Sequence, residues 1–344
     1  MSAPTIAIVG ATGTVGRQLI GCLQLHDVEP DQVRFFSSEK TEGEELDYEE
    51  ETLPTEPPGP DAFRGVQVAI IATPPAVAKP LALQAQQSGA WTLDLSGAFR
   101  VDQNVPLVSP GVNDGILDRP FQGRIVSVAH PATQALLSVL QPLRTRFGLT
   151  FADATMLFGT ASRGNAGQDQ LTKQTAALLN AKEPDVEVFP HRIGFNVLPA
   201  VGGFEGLQPG GAASNVSLLC DGERHVLVEA ARIWSGDALP ALTATTLTVP
   251  TFHGMTIVLN AHLNRPVDAD GVRATLKEDS SLKLIDDPAQ NIFPMPMLAT
   301  DDAAIHVGRV RANGPRVQLV ACLDNVFRVA DGAVELALEL AERT

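Results

Sequence analysis

Gly10-Ala11-Thr12-Gly13-Thr14-Val15-Gly16 decides how this chain is read. The stretch follows an apolar, β-branched run at 5–9 and leads into 15–25, where apolar residues recur at helical spacing. Strand, glycine turn and helix in that order form the context of a dinucleotide-binding loop. The turn lets backbone approach a pyrophosphate, and the helix N-terminus offers N–H donors and a partial positive charge. The spacing is G-x-x-G-x-x-G, a looser relative of G-x-G-x-x-G, and an ordinary glycine-rich βα turn is the competing reading. Gly10, Thr12, Gly13, Thr14 and Val15 are the candidate cofactor contacts.

Outward from this loop, the first third alternates strand-like and helix-like patterns, as a parallel sheet covered by helices requires. Runs at 33–36, 66–72, 91–95 and 125–128 read as buried strands, and Pro131 opens an apolar-periodic helix to about residue 143. The acidic, proline-rich stretch 42–60 reads as a surface loop or an edge excursion. After residue 149 longer alternating strands are expected at 155–159, 242–249, 255–263 and 317–321, with helices at 168–179 and 223–234. That pattern predicts a second, α+β domain with a partly antiparallel sheet. The glycine-rich segment 202–211 suits a subunit interface, and a last helix at 331–343 is expected to return to the first domain. The expected class is therefore α/β, with a Rossmann-type domain (1–130 with 325–344) and a mixed-sheet domain (131–324).

With 344 residues, two domains can each bury a core. The formal net charge of −15 opposes phosphate neutralisation, which argues against a nucleic-acid partner. Cys22, Cys220 and Cys322 lie far apart without a C-x-x-C, and no H-E-x-x-H occurs, so no metal site or disulfide framework is expected. The first strand begins almost at once, and no apolar run of about 18 residues follows, so no membrane partner and a cytoplasmic location are expected.

Read in order, GATGTVG (10–16), SSEKTEG (37–43), LDLSGAFR (93–100), PLVSPGVN (106–113), FNVLP (195–199) and DNVFR (324–328) resemble the aspartate-semialdehyde dehydrogenases along nearly the whole chain. The resemblance implies a dinucleotide-binding domain closed by the C-terminal helix, a central dimerisation domain, and a homodimer or tetramer. It also implies NADP-linked reduction of aspartyl phosphate through a cysteine thiolate, assisted by a general base and a carboxylate-binding arginine. Ser38, Lys40 and Thr41 fall where the family reads the adenosine 2′-phosphate, against the repulsion of Glu39, Glu42, Glu44 and Glu45. Arg100 matches a phosphate-contacting arginine, with an ordinary ion pair as the alternative. Asn113, Asn196, Asp324 and Asn325 lie in retained motifs, as ligand contacts or as loop-holding side chains. Thr73-Pro74-Pro75 replaces a donor-rich turn, and each proline removes an N–H from that side of a cofactor pocket.

The chain departs from the family at its chemistry. The N-P-N-C signature stands here as His130-Pro131-Ala132-Thr133, so Thr133 occupies the nucleophile's place. Further replaced positions fall on Gly159, His225, Thr248 and Met255. Removing a nucleophile costs about a millionfold in protease turnover, and a threonine hydroxyl is a poor substitute without a strong base. The 129–143 stretch and Ser162-Arg163-Gly164-Asn165 resemble the Usg-like branch, which keeps the fold and lacks the cysteine. The resulting expectation is a pseudoenzyme that binds a nucleotide or another small molecule. The alternative is an NADP-dependent oxidoreductase on a different carbonyl substrate, with His130, His225 or His253 as proton donor. A purely structural subunit is the third reading.

Overall fold

The computed structural model describes residues 5–204, 218–236 and 239–343. Residues 205–211 of the glycine-rich interface segment lie outside them. The chain divides into two compact units, Met1–Pro131 with Val326–Thr344, and Ala132–Asn325.

In the first unit, β1 (Ile6–Val9) is buried at every position, as expected for a parallel strand covered on both faces. It feeds α1 (Thr14–Leu25), and β2 (Val33–Phe36) returns parallel to β1. The acidic stretch after β2, expected as a surface loop or an edge excursion, contains an antiparallel hairpin of β3 (Glu45–Tyr48) and β4 (Glu51–Pro54). Leu46 and Tyr48 point inward while Glu45 and Asp47 face solvent, a period-two pattern hidden by the acidic composition. The buried Tyr48 hydroxyl donates to the Val28 carbonyl, satisfying its polar tip.

The sheet continues with β5 (Val68–Ile71), α2 (Pro75–Gln87), β6 (Trp91–Asp94), β7 (Leu107–Val108) and β8 (Ile125–Val128). Its six strands are parallel, in the order β2-β1-β5-β6-β8-β7. Pro75 is the first residue of α2, where a missing N–H sacrifices no helical hydrogen bond. Ala78, Ala82 and Ala85 form the buried face of α2 and share a core with Ala69, Ile71 and Phe63.

The second unit begins with α3 (Pro131–Phe147), longer than the sequence pattern suggests, then β9 (Leu149–Phe158) and α4 (Gly164–Leu179). There follow α5 (Asp221–Ile233), β10 (Ala241–Thr248), β11 (Met255–Leu263), α6 (Ala269–Lys277), β12 (Leu282–Leu284), β13 (Ile305–Asn313) and β14 (Arg316–Leu323). The sheet order is β10-β9-β11-β14-β13-β12. The β10/β9 and β12/β13 pairs are parallel and the rest antiparallel, so the sheet is mixed. One face is largely apolar, with Met156, Ile257, Ala321 and Val307 aligned across four strands and buried.

The closing helix, α7 (Asn325–Glu342), starts six residues before the expected position, and from Val326 onward it belongs to the first unit. Ala330, Ala333, Val334, Ala337 and Leu340 are buried along one stripe. Arg343 donates to the Leu117 carbonyl at 2.8 Å and pins the helix end.

The turn between β1 and α1 leaves no room for side chains. A Cβ at Gly16 would stand 2.1 Å from the Gly10 carbonyl oxygen, whereas one at Gly21, also in α1, would meet nothing within 4 Å. Gly16→Ala is expected to lower stability by about 1–3 kcal/mol through overpacking. Gly21→Ala should raise it by about 0.4–1 kcal/mol. Urea denaturation of the two variants checks the pair, and equal effects would contradict the close packing.

Candidate functional site

At the C-terminal end of β1 the chain turns on Gly10, whose φ is +95°, a region that favours glycine. The Gly10 and Ala11 N–H groups donate to the Phe36 carbonyl at 2.8 and 3.0 Å, which ties the turn to β2. Gly13 caps α1, and no acidic residue lies in the helix's first turn. The positive end of the helix dipole beside Thr14 and Val15 is therefore not offset by a carboxylate on that turn.

Thr12 Oγ1 stands 3.4 Å from Thr41 Oγ1, bringing the glycine turn against the segment that follows β2. Ser38 caps a short 3-10 turn, Glu39–Thr41, with Ser38 and Lys40 exposed and Thr41 half-buried. Sequence reading passed over Arg17. Its guanidinium pairs with Glu44, and its Nε donates to the Thr12 carbonyl at 3.3 Å. Glu44, expected to repel phosphate beside Lys40, is thus engaged by a cation on α1.

The LDLSGAFR motif is explained by backbone holding. Asp94 is fully buried and accepts hydrogen bonds from Ser96 N–H and Oγ, Phe99 N–H and Ser127 Oγ. Arg100 is also buried. Its Nε donates to the Val128 carbonyl at 2.9 Å and its Nη2 to the Leu95 carbonyl at 3.0 Å, so two arms of the fork hold the ends of β8 and β6. Asn113 likewise accepts from Ser109 N–H and donates to the Leu107 carbonyl, as loop-holding asparagines do. Asn325 is buried at the start of α7.

In the second unit, three of the positions that the sequence reading takes as replaced, Gly159, Thr248 and Met255, meet at one end of the mixed sheet. Phe158, the residue before Gly159, pairs in register with both Thr248 and Met255. Gly159 N–H donates to the Gly254 carbonyl at 3.0 Å, and the two residues after it bond to Thr251 and Phe252. A Cβ at Gly159 would stand 3.0 Å from the His253 carbonyl oxygen, a tight contact that a side chain there could make only if its neighbour gave way slightly. Met255 is fully buried, and the Thr248 hydroxyl donates to the Ala200 carbonyl at 3.0 Å. These side chains are occupied in packing and backbone bonds.

Thr133, in the first turn of α3, is fully buried, and its hydroxyl has no hydrogen-bond partner among the described residues. His225 lies on α5 with its Nδ1 3.4 Å from a carboxylate oxygen of Glu229, whose side chain is 1% exposed. Sequence reading missed Glu229. Its signal was present, because a carboxylate stands on the apolar stripe of Val226, Ala230 and Ile233, four residues after His225.

None of the thiols stands open to solvent. Cys22 is buried in α1. Cys220 is the buried N-cap of α5 rather than a loop residue, with its Sγ 3.0 Å from Thr246 Oγ1. Cys322 lies within β14, and burial pushes its thiol pKa up despite a hydrogen bond with Thr256. One constellation of potential metal ligands occurs among the described residues, His26 with Asp331 and Glu335.

A parallel sheet with a glycine turn after its first strand, joined to a mixed-sheet unit, defines a Rossmann-like fold with a second domain. Family comparison agrees. Residues 5–118 match the semialdehyde dehydrogenase NAD-binding domain, and residues 140–328 match the semialdehyde dehydrogenase dimerisation domain. The chain belongs to the semialdehyde dehydrogenase family. It is 29% identical to the aspartate-semialdehyde dehydrogenase of Bacillus subtilis, over 98% of this chain and 96% of that protein. It is 30% identical to a USG-1 protein homolog of Azotobacter vinelandii, again over 98% of this chain and 96% of the relative. Among solved structures it is similar to Vibrio cholerae aspartate semialdehyde dehydrogenase II complexed with ASA, with TM-score 0.88 and 26% identity. That likeness covers 100% of this chain and 99% of the other.

Burial of the three thiols sets an expected outcome. Native protein should react with a thiol reagent such as DTNB at least about a hundredfold more slowly than denatured protein, where all three titrate. A single fast-reacting thiol in the native state would show an accessible nucleophile.

Proposed function

We propose that this chain is a family member that keeps the nucleotide-binding fold and has lost the covalent step, acting as a nucleotide- or ligand-binding pseudoenzyme. The observation that carries the reading is Thr133. A buried hydroxyl with no hydrogen-bond partner stands at the position that matches the family's cysteine nucleophile. Gly159, Thr248 and Met255 support it, since none supplies the amide, guanidinium or imidazole expected there, and His225 is no ammonium.

NADP is the cofactor this reading favours. The glycine turn suits a pyrophosphate, because it sets the N-terminus of α1 beside the end of β1 and the α1 dipole is uncountered on its first turn. Gly10, Thr12, Gly13, Thr14 and Val15 would hold the pyrophosphate. Ser38, Lys40 and Thr41 would take the 2′-phosphate, with Lys40 as a point charge, and Asn325 would contribute from α7. The bound nicotinamide would supply a hydride acceptor or donor. Arg100 and Asn113 are proposed as neighbours of an anion through their backbone-holding geometry rather than as its principal ligands.

The alternative, hydride transfer to a different carbonyl without a thioester, needs a proton donor. His225 is favoured for that role by its contact with the buried carboxylate of Glu229.

Titration with NADPH, followed by cofactor fluorescence, should give saturable binding. Incubation with aspartate semialdehyde, phosphate and NADP should give no turnover, and Thr133→Cys should stay inactive because the other positions are also replaced. Turnover by the unaltered protein would overturn the pseudoenzyme reading. Absence of NADPH and NADH binding would favour the structural subunit.

The proposed partner is a second copy of the chain. On the mixed sheet, the face opposite the buried one carries Thr155, Val258 and Val320 in register, with Val258 37% exposed. A half-apolar open sheet face in a matched dimerisation domain suits a two-fold interface. A cytoplasmic location follows from the same reading. No helix among the described residues is long and apolar enough to cross a membrane, and the net charge of −15 disfavours nucleic acid. Val258→Glu is expected to convert a dimer to a monomer in sedimentation velocity, and an unchanged dimer would move the interface elsewhere.

A further inference from the structure

His26, Asp331 and Glu335 form the one group of three potential ligands found among the described residues, with one ligand atom from each lying within 4.8 Å of the others. The residues come from opposite ends of the chain. His26 ends α1, its own N–H bonded to the Cys22 and Leu23 carbonyls, so its backbone is fixed. Asp331 and Glu335 are four apart on α7 and therefore share one helix face.

We propose that these three side chains bind a divalent transition-metal ion of the zinc class, which staples α7 to the end of α1. Imidazole with two carboxylates suits such an ion, and three protein ligands leave a fourth position for water. Zn–N and Zn–O bonds of about 2.0–2.2 Å give tetrahedral edges of about 3.3–3.6 Å. His26 Nε2 and Asp331 Oδ1 are 2.9 Å apart in a hydrogen bond, so an entering ion need widen that pair by only about half an ångström. A change in the Asp331 side-chain torsion supplies this. Glu335 is exposed and gives the ion its route in, while the His26 and Asp331 side chains are only 26% and 17% exposed.

Two carboxylates within a chain of net charge −15 raise the local concentration of cations. The ion would hold the C-terminal helix on the unit it completes, and its effect is stability of that unit rather than chemistry.

The full-length protein, freed of metal with a chelator, is titrated with zinc chloride at pH 7.5, by calorimetry and by thermal unfolding, with magnesium as the comparison ion. One zinc equivalent is expected to bind, with a melting temperature several degrees higher in excess zinc and no response to magnesium. Glu335→Gln changes an exposed side chain and leaves folding intact. It should weaken zinc binding at least about tenfold, and His26→Gln should abolish both binding and the thermal shift. Absence of one-equivalent binding overturns the proposal. So does binding that both variants retain, which would mark adventitious zinc, for instance on thiols.

Discussion

The approach of α1 to the end of β1 is the constraint on which the first unit depends. Gly16 can pass the Gly10 carbonyl only because it carries no side chain, and Gly10 can turn with φ +95° for the same reason. Leu19 and Leu23 of the helix and Ile6 and Ile8 of the strand are all fully buried. The same close packing sets the helix N-terminus beside the turn. A structural requirement and an anion-binding geometry are here one arrangement, so the glycine turn is kept wherever this close packing is kept. In the second unit the strand ends are filled differently, with Thr248 bonded to the Ala200 carbonyl and Met255 held by packing.

That asymmetry also explains how much of the molecule was legible in its sequence. β1, α1 and β8 follow directly from apolar runs and helical spacing, because burial on both faces leaves little choice of residue. The β3–β4 hairpin was harder. Its inward residues, Leu46 and Tyr48, are diluted by five acidic neighbours at 44, 45, 47, 49 and 50. β13 escaped because Gly308, Arg309 and Arg311 interrupt its apolar pattern, and Gly308 is needed where Ile285 crosses it.

At the site, residue types alone did not separate chemistry from scaffolding. Arg100 reads as an anion ligand, yet its fork grips the Val128 and Leu95 carbonyls. The buried Asp94 that organises the same loop carried no chemical signal at all. Glu229 was visible as a carboxylate on an apolar stripe, a pattern that costs several kcal/mol unless a partner compensates.

The first unit's chain is interrupted: α7 joins it only after the whole of Ala132–Asn325 has been made. At about 5–20 residues per second, synthesis of that insertion takes about 10–40 s. Throughout that interval the nascent sheet lacks its final helix and leaves uncovered the surface that Ala330, Val334 and Ala337 later occupy. The ribosome therefore imposes an order in which the inserted unit has time to fold before the first is complete. Premature termination anywhere in the gene leaves an apolar scar for chaperones and proteases to read.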